Sequence, residues 1–152
     1  GLQLNTNTEK FAVDMWGNTA PTSSVFNVAG NYPFTNGTGQ TYVAYLFATK
    51  AGISKVGSYT GNGSSLTLNM GFTTGARFFL CKRTDSTGDW YVFDTTRGII
   101  AGNDGHLSLN TTAAEVTTDD SVDPDTSGLI VNQLAATNIN VNAATYIYLA
   151  FA

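Results

Sequence analysis

Apolar and polar residues alternate along this chain in short runs that end at Gly, Asn, Ser or Asp. A three-to-four-residue period is missing almost everywhere, so the pattern reads as β-strands joined by turns. It predicts strands over residues 9–15, 24–29, 41–48, 53–59, 65–69, 76–83, 89–94, 106–110, 128–133 and 144–151. Asn36-Gly37-Thr38-Gly39, Gly61-Asn62-Gly63 and Ser86-Thr87-Gly88-Asp89 supply turns, because Gly and Asn enter left-handed backbone conformations at little cost. One capped helical turn is expected near residues 111–115. Segments 41–48 and 145–152 are apolar with weak alternation, the pattern of strands covered on both faces, and form the expected core. Pro33 and Pro124 sit where an edge or loop tolerates them.

The chain also echoes itself. Thr41-Tyr42-Val43-Ala44-Tyr45-Leu46-Phe47-Ala48 returns 104 positions later as Thr145-Tyr146-Ile147-Tyr148-Leu149-Ala150-Phe151-Ala152. Leu2-Gln3-Leu4-Asn5-Thr6 returns 105 positions later as Leu107-Ser108-Leu109-Asn110-Thr111, and Ser23-Ser24-Val25-Phe26 aligns with Ser127-Gly128-Leu129-Ile130. A period of about 104 residues is too long for a solenoid unit and suits a small sandwich. The expected fold is therefore all-β, an antiparallel β-sandwich of jelly-roll or lectin-like type with an internal pseudo-repeat. Residues 1–48 are expected to be the C-terminal half of a preceding repeat, packed with or merged into one complete repeat at 49–152. A start at Gly1 without an initiator methionine fits a piece of a longer polypeptide.

Composition agrees with strands. Charged residues make up 12% of the chain, about half of what a typical soluble domain carries, so Thr, Asn, Ser and Gly must supply the polar surface. A net charge of −4 with one adjacent basic pair, Lys82-Arg83, gives no basic stripe for nucleic acid and no attraction to an anionic membrane. No apolar run is long enough to span a bilayer as a helix. The one cysteine, Cys81, lies in an apolar run and is expected to pack as a small hydrophobe.

Candidate chemistry is sparse. A Ser-His-Asp or Cys-His centre would have to use His106, the one histidine, which stands in a turn-like Asn103-Asp104-Gly105 context. Paired carboxylates for glycoside hydrolysis could come from Glu115 with Asp119 or Asp120, or from Asp85, Asp89 and Asp94. Asp119, Asp120, Asp123 and Asp125 fall within seven residues and could offer oxygens to Ca²⁺, although the glycine and terminal glutamate of an EF-hand loop are missing. A solvated acidic loop is the competing reading. No cofactor motif is found: Gly57 to Gly63 is glycine-rich but has no following Lys-Ser/Thr pair. Aromatics remain. Trp16 and Asn18, with Asp85 and Asp89, are the candidate receptor contacts, since an aromatic face beside amide or carboxyl groups suits a sugar ring. Trp90 can instead serve the core.

The segments Thr41 to Ala48, Gly57-Ser58-Tyr59-Thr60-Gly61-Asn62-Gly63, Lys82-Arg83-Thr84-Asp85-Ser86-Thr87-Gly88-Asp89-Trp90-Tyr91-Val92-Phe93-Asp94, Asn110 to Glu115 and Thr145 to Ala152 resemble a domain family of unknown function. That family recurs, often in tandem, near the C-termini of tailed-phage tail fibre and virion structural proteins. The resemblance implies a non-enzymatic extracellular virion module, structural and host-binding, in a homo-oligomer with trimer favoured. It implies no catalytic residue. The alternatives are a purely architectural subunit, such as a capsid decoration or filament, and a polysaccharide depolymerase.

Overall fold

The computed structural model describes residues 1–152 and contains no helix. Two units are distinguished, Gly1 with Phe11–Leu46, and Leu2–Lys10 with Phe47–Ala152.

The larger unit holds nine strands: β1 Ser54–Thr60, β2 Ser65–Asn69, β3 Phe78–Arg83, β4 Trp90–Asp94, β5 Asp104–Ser108, β6 Val116–Asp119, β7 Val122–Asp125, β8 Gly128–Asn132 and β9 Thr145–Phe151. They build two antiparallel sheets, six-stranded in the order β1-β9-β3-β4-β5-β6 and three-stranded in the order β2-β8-β7, as in a β-sandwich. Alternation sets the layers. In β9, Tyr146, Tyr148 and Ala150 turn inward and are buried, while Ile147 between them is exposed. Phe79, Phe93, Leu129 and Val131 have no exposed surface and join the same core cluster. Each contributes about 1.5–3 kcal/mol relative to an exposed position. On the opposite side of the six-stranded sheet, Val56, Leu149, Leu80, Val92 and Leu107 face one another in a row across five strands.

Polar groups buried in this unit are tied down. Asn140 has no exposed surface, and its Nδ2 reaches Val131 O, Ser64 O and Asn62 Oδ1 while its Oδ1 accepts from Asn62 N. Gly61 makes that approach possible, because a Cβ there would run into the Val141 carbonyl. Gly57 likewise faces Tyr148, whose hydroxyl would meet a Cβ at 2.7 Å and whose ring would meet it at 2.8 Å. Lys82 is fully buried, with Nζ donating to Asn7 O and Arg83 O. Burial pushes its pKa down, opposed by Asp89. Residues 2–10 thus belong to this unit: Lys10 N also donates to Thr84 O, and Trp90 Nε1 to Gln3 O.

The smaller unit has no ladder pairing. Met15, its buried apolar side chain, takes Ala29 N on its carbonyl. The rest is held by local bonds: Tyr42 OH to Pro33 O, Asn36 Nδ2 to Ala29 O, and Asn31 Oδ1 accepting from Thr38.

Several expectations change. Residues 9–15, 24–29 and 41–48 are not strands, and Tyr42 to Phe47 face water, because the neighbours that would complete a ladder are missing. Two of the echoes are therefore matches of letters, with Ser127 to Ile130 entering β8 while Ser23 to Phe26 form an exposed turn; the third, Leu2–Thr6 with Leu107–Thr111, is one turn made twice, in which Thr6 N reaches Gln3 O and Thr111 N reaches Ser108 O, both at 3.4 Å. No helix forms at 111–115; the Thr111 hydroxyl accepts from Ala113 N and holds an irregular turn. The acidic stretch becomes the end of β6 and all of β7, and carries the chain from one sheet to the other. Pro124 is accommodated because β7 is an edge strand. The expected division after residue 48 falls between 46 and 47, with Leu2–Lys10 joining the larger unit.

Candidate functional site

His106 lies within β5, four per cent exposed, between the Tyr91 and Phe93 rings at 5.4 and 5.3 Å. Its Nδ1 has no hydrogen-bond partner and its Nε2 stands 4.0 Å from Asp119 Oδ2. Burial lowers its pKa against the pull of Asp119, so the ring is neutral near pH 7. The buried Ser121 hydroxyl bonds Thr137, away from the imidazole. Cys81 is buried beneath the sheet, and desolvation pushes its thiol far above the range in which a thiolate forms. Neither arrangement prepares a nucleophile.

Carboxylates hold the fold. Asp104 has no exposed surface and accepts from Val122 N and Ile100 N; burial nonetheless pushes its pKa up to about 6. Asp94 takes Thr96 N, Arg97 N and the Arg97 guanidinium. Asp120 and Asp123 share the Asn132 amide, whereas Asp125 accepts from the Ser127 amide and hydroxyl, and Asp119 faces His106. The four calcium candidates are therefore divided among separate partners, and no group of three or more His, Cys, Asp or Glu side chains converges.

The receptor candidates divide in two. Asp85 is clamped by both Arg83 Nε and Nη2 and by Thr145 N, which hold its carboxyl below the usual range. Asp89 accepts from Asn110 Nδ2, and Asn110 Oδ1 in turn takes Trp90 N. Both acids brace the β3–β4 connection.

Trp16 and Asn18 share one turn in the smaller unit. Gly17 and Asn18 have φ of 61° and 49°, and Thr19 N returns to Trp16 O at 3.2 Å, the tight turn whose two central residues are both left-handed. Asp14 fixes it, accepting from Asn18 N at 2.8 Å and Asn18 Nδ2 at 3.3 Å. Met15 is buried, so its neighbour Trp16 points the other way and is 48% exposed. Phe26, itself 40% exposed, meets the Trp16 ring edge-on at 6.3 Å. An open aromatic pair thus stands beside a carboxylate and an amide.

A family described as a domain of unknown function, DUF7483, matches residues 1–152, the length of this chain. The chain belongs to that family. No curated protein and no solved structure matches it. In this DUF7483 chain, the sequence points to Trp16 and Asn18 but not to Asp14 or Phe26. Asp14 was accessible from its spacing, since an aspartate four residues before an Asn in a Gly-Asn turn can bond that amide. Phe26 carried no such signal, because ten residues of irregular chain bring it to Trp16.

Proposed function

We propose that this chain is a non-enzymatic structural and adhesive β module of a tailed-phage fibre or virion surface, and that it meets a host-surface glycan through the Trp16 turn. The sandwich, on this reading, is of lectin-like or jelly-roll type and works outside the cell. The observation that carries the binding is the exposed Trp16–Phe26 pair with Asp14 and Asn18 alongside. An aromatic face covers the apolar C–H side of a sugar, and the carboxylate and amide take its hydroxyls. The Asp14 to Asn18 bonds hold those groups in place before a ligand arrives, which lowers the ordering cost of binding. The fibre setting rests on the resemblance of Gly57 to Gly63, Lys82 to Asp94 and Thr145 to Ala152 to the family of fibre and virion domains. Binding is favoured over glycan cleavage because Asp85, Asp89 and Asp94 already accept bonds from Arg83, Asn110 and Arg97.

A glycan panel tests the reading. The chain should bind at least one saccharide with micromolar affinity, and Trp16→Ala should weaken that binding at least tenfold with unchanged circular dichroism. A panel with no binder, or a Trp16→Ala variant that binds as well as the parent, refutes it. Release of reducing sugar that Asp85→Asn or Asp94→Asn abolishes would establish the depolymerase.

A further inference from the structure

We infer that the saccharide taken at the Trp16 turn carries a free amino group, so that the site selects cationic amino sugars over neutral and acidic ones; this rests on the glycan reading above. Asp14 is the one charged side chain between residues 11 and 46, a stretch that holds no Lys, Arg or His. It enters no ion pair, and the Gly1 ammonium donates to the Phe11 carbonyl instead. Met15 turns inward, while Asp14 and Trp16 on either side of it face water together with Asn18. A lone, uncompensated carboxylate therefore stands beside an open aromatic face.

The bonds of the turn decide which partner suits it. Four donors are spent inside it: Asn18 N and Nδ2 on Asp14, Thr19 N on Trp16 O, and the Thr19 hydroxyl on Gly17 O. Acceptors are left over. Each Asp14 oxygen holds one of these bonds and keeps capacity for another, and Asn18 Oδ1 holds none. An ammonium offers three donors and no acceptor, whereas a hydroxyl brings acceptors with its donor and a carboxylate brings acceptors alone. Charge points the same way. A carboxylated or sulfated sugar would set a second anion against Asp14 with no basic side chain in the stretch to neutralise either, on a chain whose net charge is already −4. A protonated amine instead meets the carboxylate, and its charge makes the neighbouring ring C–H groups more positive, which strengthens their contact with the Trp16 face. The Phe26 ring, 6.3 Å from that of Trp16, adds a second aromatic wall.

Isothermal titration with a chitosan tetrasaccharide and with its fully N-acetylated counterpart tests this, with the matching galactosamine pair and an oligogalacturonate alongside. An exposed ion pair and an exposed cation–π contact are each worth a few-fold, so at least one amino oligosaccharide should bind roughly tenfold more tightly than its N-acetylated form at low salt. That preference should fade in high salt, and again at about pH 9, where such amines lose their proton. Asp14→Asn keeps an acceptor for Asn18 N and should level the two ligands while leaving affinity for the acetylated one unchanged. Asp120→Asn removes the same charge from the larger unit and should leave the preference intact. Both positions are exposed, so circular dichroism should not change. A preference kept in Asp14→Asn, or lost in Asp120→Asn as well, overturns the inference. N-acetylated or acidic saccharides that bind the parent as tightly as the amino ones overturn it too, and leave the glycan reading standing. Absence of any binder, acetylated or not, brings down both.

Discussion

Residues 145–151 and 41–48 spell nearly the same word, yet one is a central strand and the other an unpaired ribbon in water. In β9, Tyr146 is one per cent exposed, stacks on Tyr59 at 4.7 Å and donates to Asn138 O. In the earlier segment Tyr45 touches almost nothing. What separates them is what lies alongside. β-propensity reports how well a side chain suits a pleated, half-covered surface, and without neighbouring strands the preference has nothing to act on.

The sharpest test of that contrast is a pair of truncations, measured by urea denaturation at concentrations below any self-association. Tyr146→Ala should cost roughly 3–5 kcal/mol, because it opens a cavity and strips partners from Val141 N and Asn138 O. Tyr45→Ala should stay within about 0.5 kcal/mol of the parent. Equal losses would mean that the two segments are equally embedded.

A smaller effect distinguishes the polar networks of the two units. Asn140→Ala removes four bonds from buried or half-buried partners and should cost about 1–3 kcal/mol. Asn36→Ala, which loses one exposed bond to Ala29 O, should cost a few tenths. If the two variants melt alike, the larger unit does not owe its stability to its internal polar ties.

The smallest effect concerns pH. Asp104 has its folded pKa raised to about 6, so its protonation favours the folded state; this stabilisation is present in acid and disappears as pH rises through about 6. His106 acts in the opposite direction: its folded pKa is lowered, so charging it as pH falls below its ordinary value disfavours folding. In His106→Gln the second effect is gone. That variant should gain on the order of 1 kcal/mol between pH 7 and pH 5, read from denaturant midpoints. A flat or falling profile would disprove the assignment to Asp104.

Much of the larger unit could be read from letters. Residues 89–94 and 128–133 alternate between turn signals, and β4 and β8 lie within one residue of those bounds. β7 was hidden because three of its four residues are Asp or Pro; Val122 alone points to the core, and an edge strand asks for little more. Asp104 looked like a turn residue beside Gly105, and its burial became visible only when β7 brought Val122 N to its carboxylate. Residues 41–48 misled for the opposite reason. Their apolar content reads as a core signal, but an apolar segment becomes interior only when something covers it. The Trp16 turn was half legible: Gly17-Asn18 announces the turn, while the partnership with Phe26 depends on irregular chain that follows no period.

Gly57 leaves room for the Tyr148 ring, and Gly61 lets the backbone around Asn140 come close. The glycine-rich stretch by which this chain resembles its family is thus a set of joints, where any added methyl group would force two pieces of frame apart. Chains recognised by such a stretch share a way of being assembled. The exposed Trp16 turn lies outside those joints, so its residues can change without disturbing how the sheets fit together.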